Sequence, residues 1–323
     1  MARYLARRLF FALLLVFVVS SSALLLTRLA PGDLTSQLGI TATREEIART
    51  RERFGLDRSM AAQWAIWVRH TAQLDFGESF LYNRPVRNLI AQASAGTAAL
   101  AAVALLVATL LGIPLGIFTG SRRDGIATGL VRGASVLCLS VPPLLTSLVF
   151  VWIAARTGWF PVGGMTSVGA ADMSWGAWMS DLALHLPLPA LALALPIAAT
   201  IERLQSQSMS ETVREPFVLA ALARGLSHRD LVLRHAWRVS LRPVLAVYGI
   251  VIGALLSGSF AVEYVTSWPG LGRLMFEALR ARDIYLVSGC AAAGALFLAL
   301  GSVISDLLLV AADPRLREEE PAR

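Results

Sequence analysis

Lysine is absent from this chain: all 29 basic residues are arginine. That absence excludes two chemistries. A Walker A loop needs its lysine on the nucleotide phosphates, and a pyridoxal Schiff base needs a lysine amine. If ATP drives this protein, another subunit binds it. Charge of either sign is also scarce, at 16% of residues where soluble domains carry about a quarter. The only cysteines, Cys138 and Cys290, fall inside apolar stretches and read as small core hydrophobes, not as a disulfide or a metal pair. No second His or Cys stands at metal-ligand spacing from His185, and no local Ser-His-Asp signature occurs. Gly270-Leu271-Gly272 lacks the third glycine and the preceding strand of a dinucleotide fingerprint. No cofactor is therefore expected.

The charges that do occur leave six long gaps. Uncharged runs of 19, 34, 23, 20, 20 and 22 residues lie between Arg8 and Arg28, Arg87 and Arg122, Arg132 and Arg156, Asp181 and Glu202, Arg242 and Glu263, and Asp283 and Asp306. Crossing the hydrocarbon core takes about 20 apolar residues, so the spacing predicts an all-α polytopic membrane protein with about six transmembrane helices. A soluble protein with six buried helices would need amphipathic partners to cover them, and no stretch is long enough to serve. The stretch from Thr157 to Ala171 is shorter, rich in glycine and carries Pro161; it reads as a loop. Arg3, Arg7 and Arg8 followed by Ser21-Ser22-Ala23 resemble a signal peptide, but the apolar stretch runs on to Thr27, which favours a retained first helix.

Arginine placement predicts both termini in the cytoplasm. Arg3, Arg7, Arg8, Arg122, Arg123, Arg132, Arg315, Arg317 and Arg323 then lie inside, with seven more between Arg203 and Arg242, while the two short external loops hold only Arg156, Arg273, Arg280 and Arg282. The chain divides into the first helix (1–29), an external loop domain (30–94) and a five-helix core (95–323) containing a cytoplasmic loop at 203–242. Within the external loop, Thr43-Arg44-Glu45-Glu46 is a capping box and Gly55 suits a helix C-terminus. A second helix there carries Trp64 and Trp67, placed for the lipid interface. Gly112, Gly116 and Gly120 form a small-residue stripe for close helix packing. Glu202, Glu263 and Asp306 flank apolar runs and are expected at the membrane rim, in reach of water. The net charge of +7 suits the anionic cytoplasmic leaflet and gives no reason for nucleic-acid binding.

The loop at 203–242 is the one sizeable polar internal segment. Pro216 fits the first turn of a helix running through Phe217 to Arg224, Gly225 breaks it, and Ser227-His228-Arg229-Asp230 starts another. Exposed Leu219 and Leu222 on this knob call for a docking partner.

Here the sequence resembles a known family. Leu219-Ala220-Ala221 followed by Leu222-Ala223-Arg224-Gly225 resembles the EAA loop of bacterial ABC importer permeases, and the whole chain resembles the dipeptide/oligopeptide/nickel permeases. Arg3-Tyr4-Leu5, Leu29-Ala30-Pro31-Gly32-Asp33, Gly55-Leu56-Asp57-Arg58, Asp75-Phe76-Gly77, Ser79-Phe80, Gly112-Ile113-Pro114-Leu115-Gly116, Leu139-Ser140-Val141-Pro142, Gly158-Trp159-Phe160-Pro161, Ser267-Trp268-Pro269-Gly270-Leu271-Gly272, Asp283 and Asp313-Pro314-Arg315 carry that resemblance in order. It departs at Leu219 and Ser206, where the family tends to have Arg, at Ala95, where it tends to have Pro, and at the acid Glu202.

The resemblance implies an inner-membrane permease subunit that is not itself an enzyme. Its expected partners are a second, homologous permease, two ATPase subunits and an external solute-binding protein. It marks Leu219, Ala220, Ala221, Leu222, Ala223, Arg224, Gly225, Leu226 and Ser227 as the ATPase-coupling loop, and Glu263, Trp268, Pro269, Gly270 and Gly272 as an external gate or loop. Substrates in the family run from dipeptides and longer peptides to glutathione and chelated nickel. A secondary transporter or uncoupled channel is the alternative, but it would carry no docking loop and would tend to show inverted repeats or ionisable half-helices; a membrane-embedded enzyme would need a catalytic cluster in the spans, and none is seen.

Overall fold

The structure, a computed structural model, describes residues 2–30, 43–55, 57–122 and 125–312. The family motifs at Pro31–Asp33 and Asp313–Arg315, and Leu56, lie outside the described residues, as do the side chains of Leu219 and Asp306. The chain is all-α: the one β pairing among the described residues is an isolated bridge between Glu78 and Pro85. In order the main helices are α1 (Ala2–Leu29), α2 (Arg44–Arg53), α3 (Met60–Thr71), α4 (Val86–Ser121), α5 (Ile126–Ser140), α6 (Pro143–Thr157), α7 (Trp175–His185), α8 (Pro187–Thr212), α9 (Pro216–Ala223), α10 (His228–Leu231), α11 (Trp237–Ser240), α12 (Arg242–Ala246), α13 (Tyr248–Val265), α14 (Leu271–Ala281) and α15 (Ile284–Ala312).

Within α1, α4, α8 and α15 lie four segments long and apolar enough to cross a membrane, and α5 with α6 adds a fifth if that bent pair is one span. The fifth uncharged run is shared by α12 and α13, whose 18 residues rise ~27 Å. The third run is not the straight helix its length suggests. It breaks at Val141-Pro142, where the chain bends by 102° between α5 and α6. Pro142 and Pro143 lack amide hydrogens and crowd the preceding turn, which ends α5 at Ser140.

The residues divide into two compact units, Met1–Ala98 with Pro269–Ala299 and Ala99–Trp268 with Leu300–Arg323. The second unit is organised by the glycine stripe. A Cβ on Gly112 would stand 2.7 Å from the Ala198 carbonyl oxygen, and one on Gly116 would stand 2.7 Å from that of Glu202. At Gly120 the Ser206 carbonyl comes closer still. Only glycine lets the α4 backbone lie on α8 at this distance. Both numbering series rise together, so α4 and α8 are parallel neighbours. The chain between them must return to the level where α8 starts. Two 15-residue arms of ~22 Å each, bent by 102° from a straight line, reach ~28 Å end to end, close to the thickness of the hydrocarbon core. Gly249 rests on Ser302 and Ser305, and Gly301 on Ile252; here the numbers run oppositely, so α13 and α15 are antiparallel. A core from Leu100, Ala104, Leu193, Ile201, Val251, Leu255 and Trp268 fills this unit.

In the first unit the expected capping box forms: Glu46 N–H donates to Thr43 Oγ1, and Glu46 Oε2 accepts from Thr43 N–H at 2.8 Å. Gly55 follows α2 at φ 63°. Trp67 differs from its expected place. It is buried with Leu24, Phe54 and Ile284, so it seals this unit's core and does not sit at a lipid surface. Asp283, also buried, accepts from Ser79 Oγ at 2.7 Å, Leu81 N–H at 3.1 Å and Leu286 N–H at 3.1 Å. One carboxylate thus caps the start of α15 and pins the turn before α4. Tyr82, which hydrogen-bonds Glu277, has its hydroxyl pushed up to about 12 by burial and then by that carboxylate.

Candidate functional site

The polar segment after α8 folds into a compact knob, and its local chemistry explains each turn. α8 runs without a break to Thr212. Glu215 takes an extended backbone before α9, and Pro216 occupies the first turn, where its missing N–H costs nothing. α9 turns Val218 and Ala221 inward against Leu226 and Leu231. Phe217, Ala220, Leu222 and Ala223 face outward, with Leu222 39% exposed. The helix ends in a full Schellman motif. Gly225 N–H donates to Leu222 O at 2.9 Å, and Leu226 N–H to Ala221 O at 3.3 Å. Gly225 sits at φ 88°, in the left-handed region that glycine enters without penalty. Arg224 folds back, its Nε donating to Ala220 O at 3.3 Å. Ser227 Oγ accepts from Asp230 N–H at 3.1 Å and donates to Asp230 Oδ2 at 2.6 Å, which starts α10. A π-helical turn, Val232–Ala236, joins α10 to α11.

The knob is seated on the membrane core from behind. Val232 and Ala236 pack on Met209 of α8, with Ile117 of α4 and Trp237 at the margin. Gln205 Nε2 donates to Ser240 Oγ at 2.8 Å. Met209 also lies over Gly120 in the glycine seam. One continuous helix therefore bears both the knob and the tightest packing of the second unit. The outer surface is basic: residues 203–242 hold seven arginines and three acids. Asp230 pairs with Arg234 at 3.5 Å, on a solvated face where such a pair contributes little.

The external candidates divide between the two units. In the second, Trp268 N–H donates to Glu263 O at 2.9 Å, and both side chains are fully buried. The glycine-rich loop lies against the same turn, Gly164 N–H donating to Thr266 O at 2.8 Å. In the first, Gly270 precedes α14 and Gly272 stands in its first turn; Leu271 N–H donates to Thr97 Oγ1 at 2.8 Å. Pro269 is exposed.

Of the carboxylates expected at the rim in reach of water, Glu202 and Glu263 are buried. Glu263 is 0% and Glu202 1% exposed. Glu202 does not end its helix, because α8 continues ten residues beyond it. Its Oε1 accepts from Thr119 Oγ1 at 2.6 Å, and it lines a cavity of about 440 Å³ with Arg132, Arg203, Ser206, Gln207 and Ser210. Sequence reasoning missed this contact and the Ser79–Asp283 bond, whose partners lie 204 positions apart; nothing local announces either.

Residues 112–318 match the model of the binding-protein-dependent transport system inner membrane component, and residues 1–101 match the model of the N-terminal part of such membrane components. A putative peptide permease of Brucella ovis is 31% identical over 322 residues, covering 98% of this chain and 99% of that protein. The dipeptide transport system permease of Lactococcus lactis is 30% identical over 98% of this chain and 100% of its own length. The oligopeptide transport system permease of Bacillus subtilis is 26% identical, with 98% and 99% covered.

Proposed function

The chain belongs to the binding-protein-dependent transport system inner membrane components, and from that premise we propose that it forms half of the translocation pore of an ATP-driven peptide importer. It is a multi-pass plasma-membrane subunit and a transporter component; ATP hydrolysis in this family belongs to a separate subunit. Such permeases work with ATPase and binding-protein partners. The finer assembly is one second permease, two ATPases and one external binding protein, with both termini of this chain and the knob in the cytoplasm and residues 30–94 outside.

The observation that carries the reading is the knob's construction. An outward Phe217–Leu222 face, fixed by the Schellman turn at Gly225 and the cap at Ser227, stands at the end of α8. An exposed apolar face on a polar loop fits a partner's groove. The ATPases grip this face, and their closure on ATP displaces the knob. Because Met209 and Gln205 tie the knob to α8, that displacement acts on the α4/α8 seam. The seam is then the two-state element that ATP binding biases. At the other end, Glu263, Trp268, Pro269, Gly270 and Gly272 belong to the external gate. Peptides are the substrate class, as the names of the relatives suggest.

Purification of the complex from its own membranes tests the reading. An ATPase subunit and a second permease should co-elute, with peptide released on denaturation. A stable, transporting chain with no ATPase would overturn it in favour of a secondary transporter or channel.

A further inference from the structure

Helix α7 is inside out for a helix in water. Its packed face carries Trp178, Asp181, Leu182 and His185, at three- and four-residue spacing. Asp181 accepts from Ser167 N–H at 2.7 Å and from Ser167 Oγ at 2.6 Å, which holds its carboxyl below the usual carboxylate range. His185 Nδ1 lies 2.8 Å from Asp181 O. The open face carries Trp175, Met179, Ala183 and Leu184, with Gly176, Ala177 and Ser180 between them. No charged side chain lies on it. An aqueous helix turns its carboxylates out and its large apolar side chains in; this one holds its one carboxylate on the packed face and leaves Trp175, Met179 and Leu184 open.

The tryptophans around it share the pattern. Trp152, Trp159 and Trp175 are 61%, 74% and 76% exposed, and no other tryptophan among the described residues is comparably open. All three fall between the last turns of α6 and the start of α7. Trp175 stacks on Trp178 at 5.4 Å, and Arg156 lies 5.8 Å over the ring of Trp152. From Thr157 to Ser180, Asp172 is the sole charged residue. Position fixes the level. α6 ends at Thr157 and the α8 span begins at Pro187, so α7 occupies the boundary of the membrane. α6, which precedes it, likewise leaves Leu144, Leu145, Leu148 and Trp152 exposed.

We propose that α7 is an interfacial helix that lies in the membrane boundary, with Trp175, Met179 and Leu184 embedded in lipid at the junction of headgroups and acyl chains and Trp159 and Trp152 completing the belt. Interfacial tryptophans and a chargeless apolar face are the chemistry lipid recognises there. A soluble binding protein or the second permease on the same face is the outcome that would refute it. The anchor fixes the loop 158–174, through the Ser167–Asp181 bonds, against Thr266 of the external candidate site.

The test uses the whole complex in lipid nanodiscs, with Cys138→Ala and Cys290→Ala as background and a nitroxide placed through Met179→Cys or Leu184→Cys. Relaxation by molecular oxygen, which partitions into lipid, should exceed relaxation by a water-soluble nickel chelate several-fold at both sites. Dominance of the nickel chelate would show water on this face, and exclusion of both reagents would show a protein; either result overturns the assignment. A second reading needs no cysteine. Trp175→Phe in the otherwise natural chain should lower quenching of tryptophan emission by lipids brominated near the headgroup more than by lipids brominated at the chain ends. Equal or no change would also overturn it.

Discussion

Replacing Gly116 with alanine tests the seam that links the knob to the membrane core. The added methyl would lie 2.5 Å from Gln205 Cβ and 2.7 Å from the Glu202 carbonyl oxygen. The carbonyl is helix backbone and cannot swing aside, so α4 and α8 must part. Overpacking of this kind costs ~1–3 kcal/mol, or ~5- to ~150-fold in an equilibrium constant. The same change at Gly129 or Gly133 of α5 meets nothing within 4 Å, and there the better helix propensity of alanine stabilises by ~0.5–1 kcal/mol. The assay is unfolding of the purified complex in mixed micelles of rising SDS fraction, followed by tryptophan emission. Gly116→Ala should unfold at lower SDS than the parent, and Gly129→Ala at equal or higher SDS. Equal shifts at the two sites would refute the claim that the stripe is a backbone-to-backbone contact. A transport defect at Gly116 with unchanged stability would mean that the stripe faces the path of the solute.

The knob gives two further tests. Gly225→Val should weaken ATPase association, since a left-handed backbone costs an L-residue ~1–2 kcal/mol and a β-branched one most, while Gly225→Asn should retain most of it; a pull-down of the ATPase reads both. Leu222→Asp should leave insertion intact yet abolish coupled transport, because a charge buried unpaired at the docking face is costly; normal transport at equal expression would make the loop a mere linker. In the first unit, Asp283→Ala should destabilise the purified complex by ~1–3 kcal/mol for the donors left unsatisfied, with Asp283→Asn retaining part of the cap. Asp75 is hydrogen-bonded to His70 and to Gly77 N–H, and its carboxyl is held below the usual range. A lowered folded value means the bond contributes stability above the unfolded value and loses it as pH falls through the folded one. Proteolysis of the 70–78 turn should therefore rise only under acid, and Asp75→Asn should remove that pH dependence.

What the sequence made legible was local. The box at Thr43–Glu46, the first-turn proline at 216, the glycine turn at 225 and the cap at Ser227 each depend on residues within five positions of one another, and all four formed. The glycine stripe was readable as a packing face because its spacing is helical, though its partner was not. Misreadings arose where a charge was taken for a helix end. Glu202 closes an apolar run, yet α8 runs on past it, so the acid is buried against Thr119. The third run was read from its lack of charge alone, and the Pro142-Pro143 pair that bends it was passed over. Trp67 was assigned by residue type to an interface, but contacts with Leu24, Phe54 and Ile284 decide its place, and two of those three are remote in sequence.

The central claim is that this chain forms half of the pore of an importer whose energy comes from partner subunits. Its most direct test is peptide uptake into proteoliposomes holding the purified complex, with the external binding protein supplied on the side of residues 30–94 and ATP on the side of the knob. Uptake should require ATP, the binding protein and the ATPase subunits together, and this chain alone should hydrolyse no ATP. Uptake that persists without ATP, or ATP turnover by the isolated chain, would contradict the account.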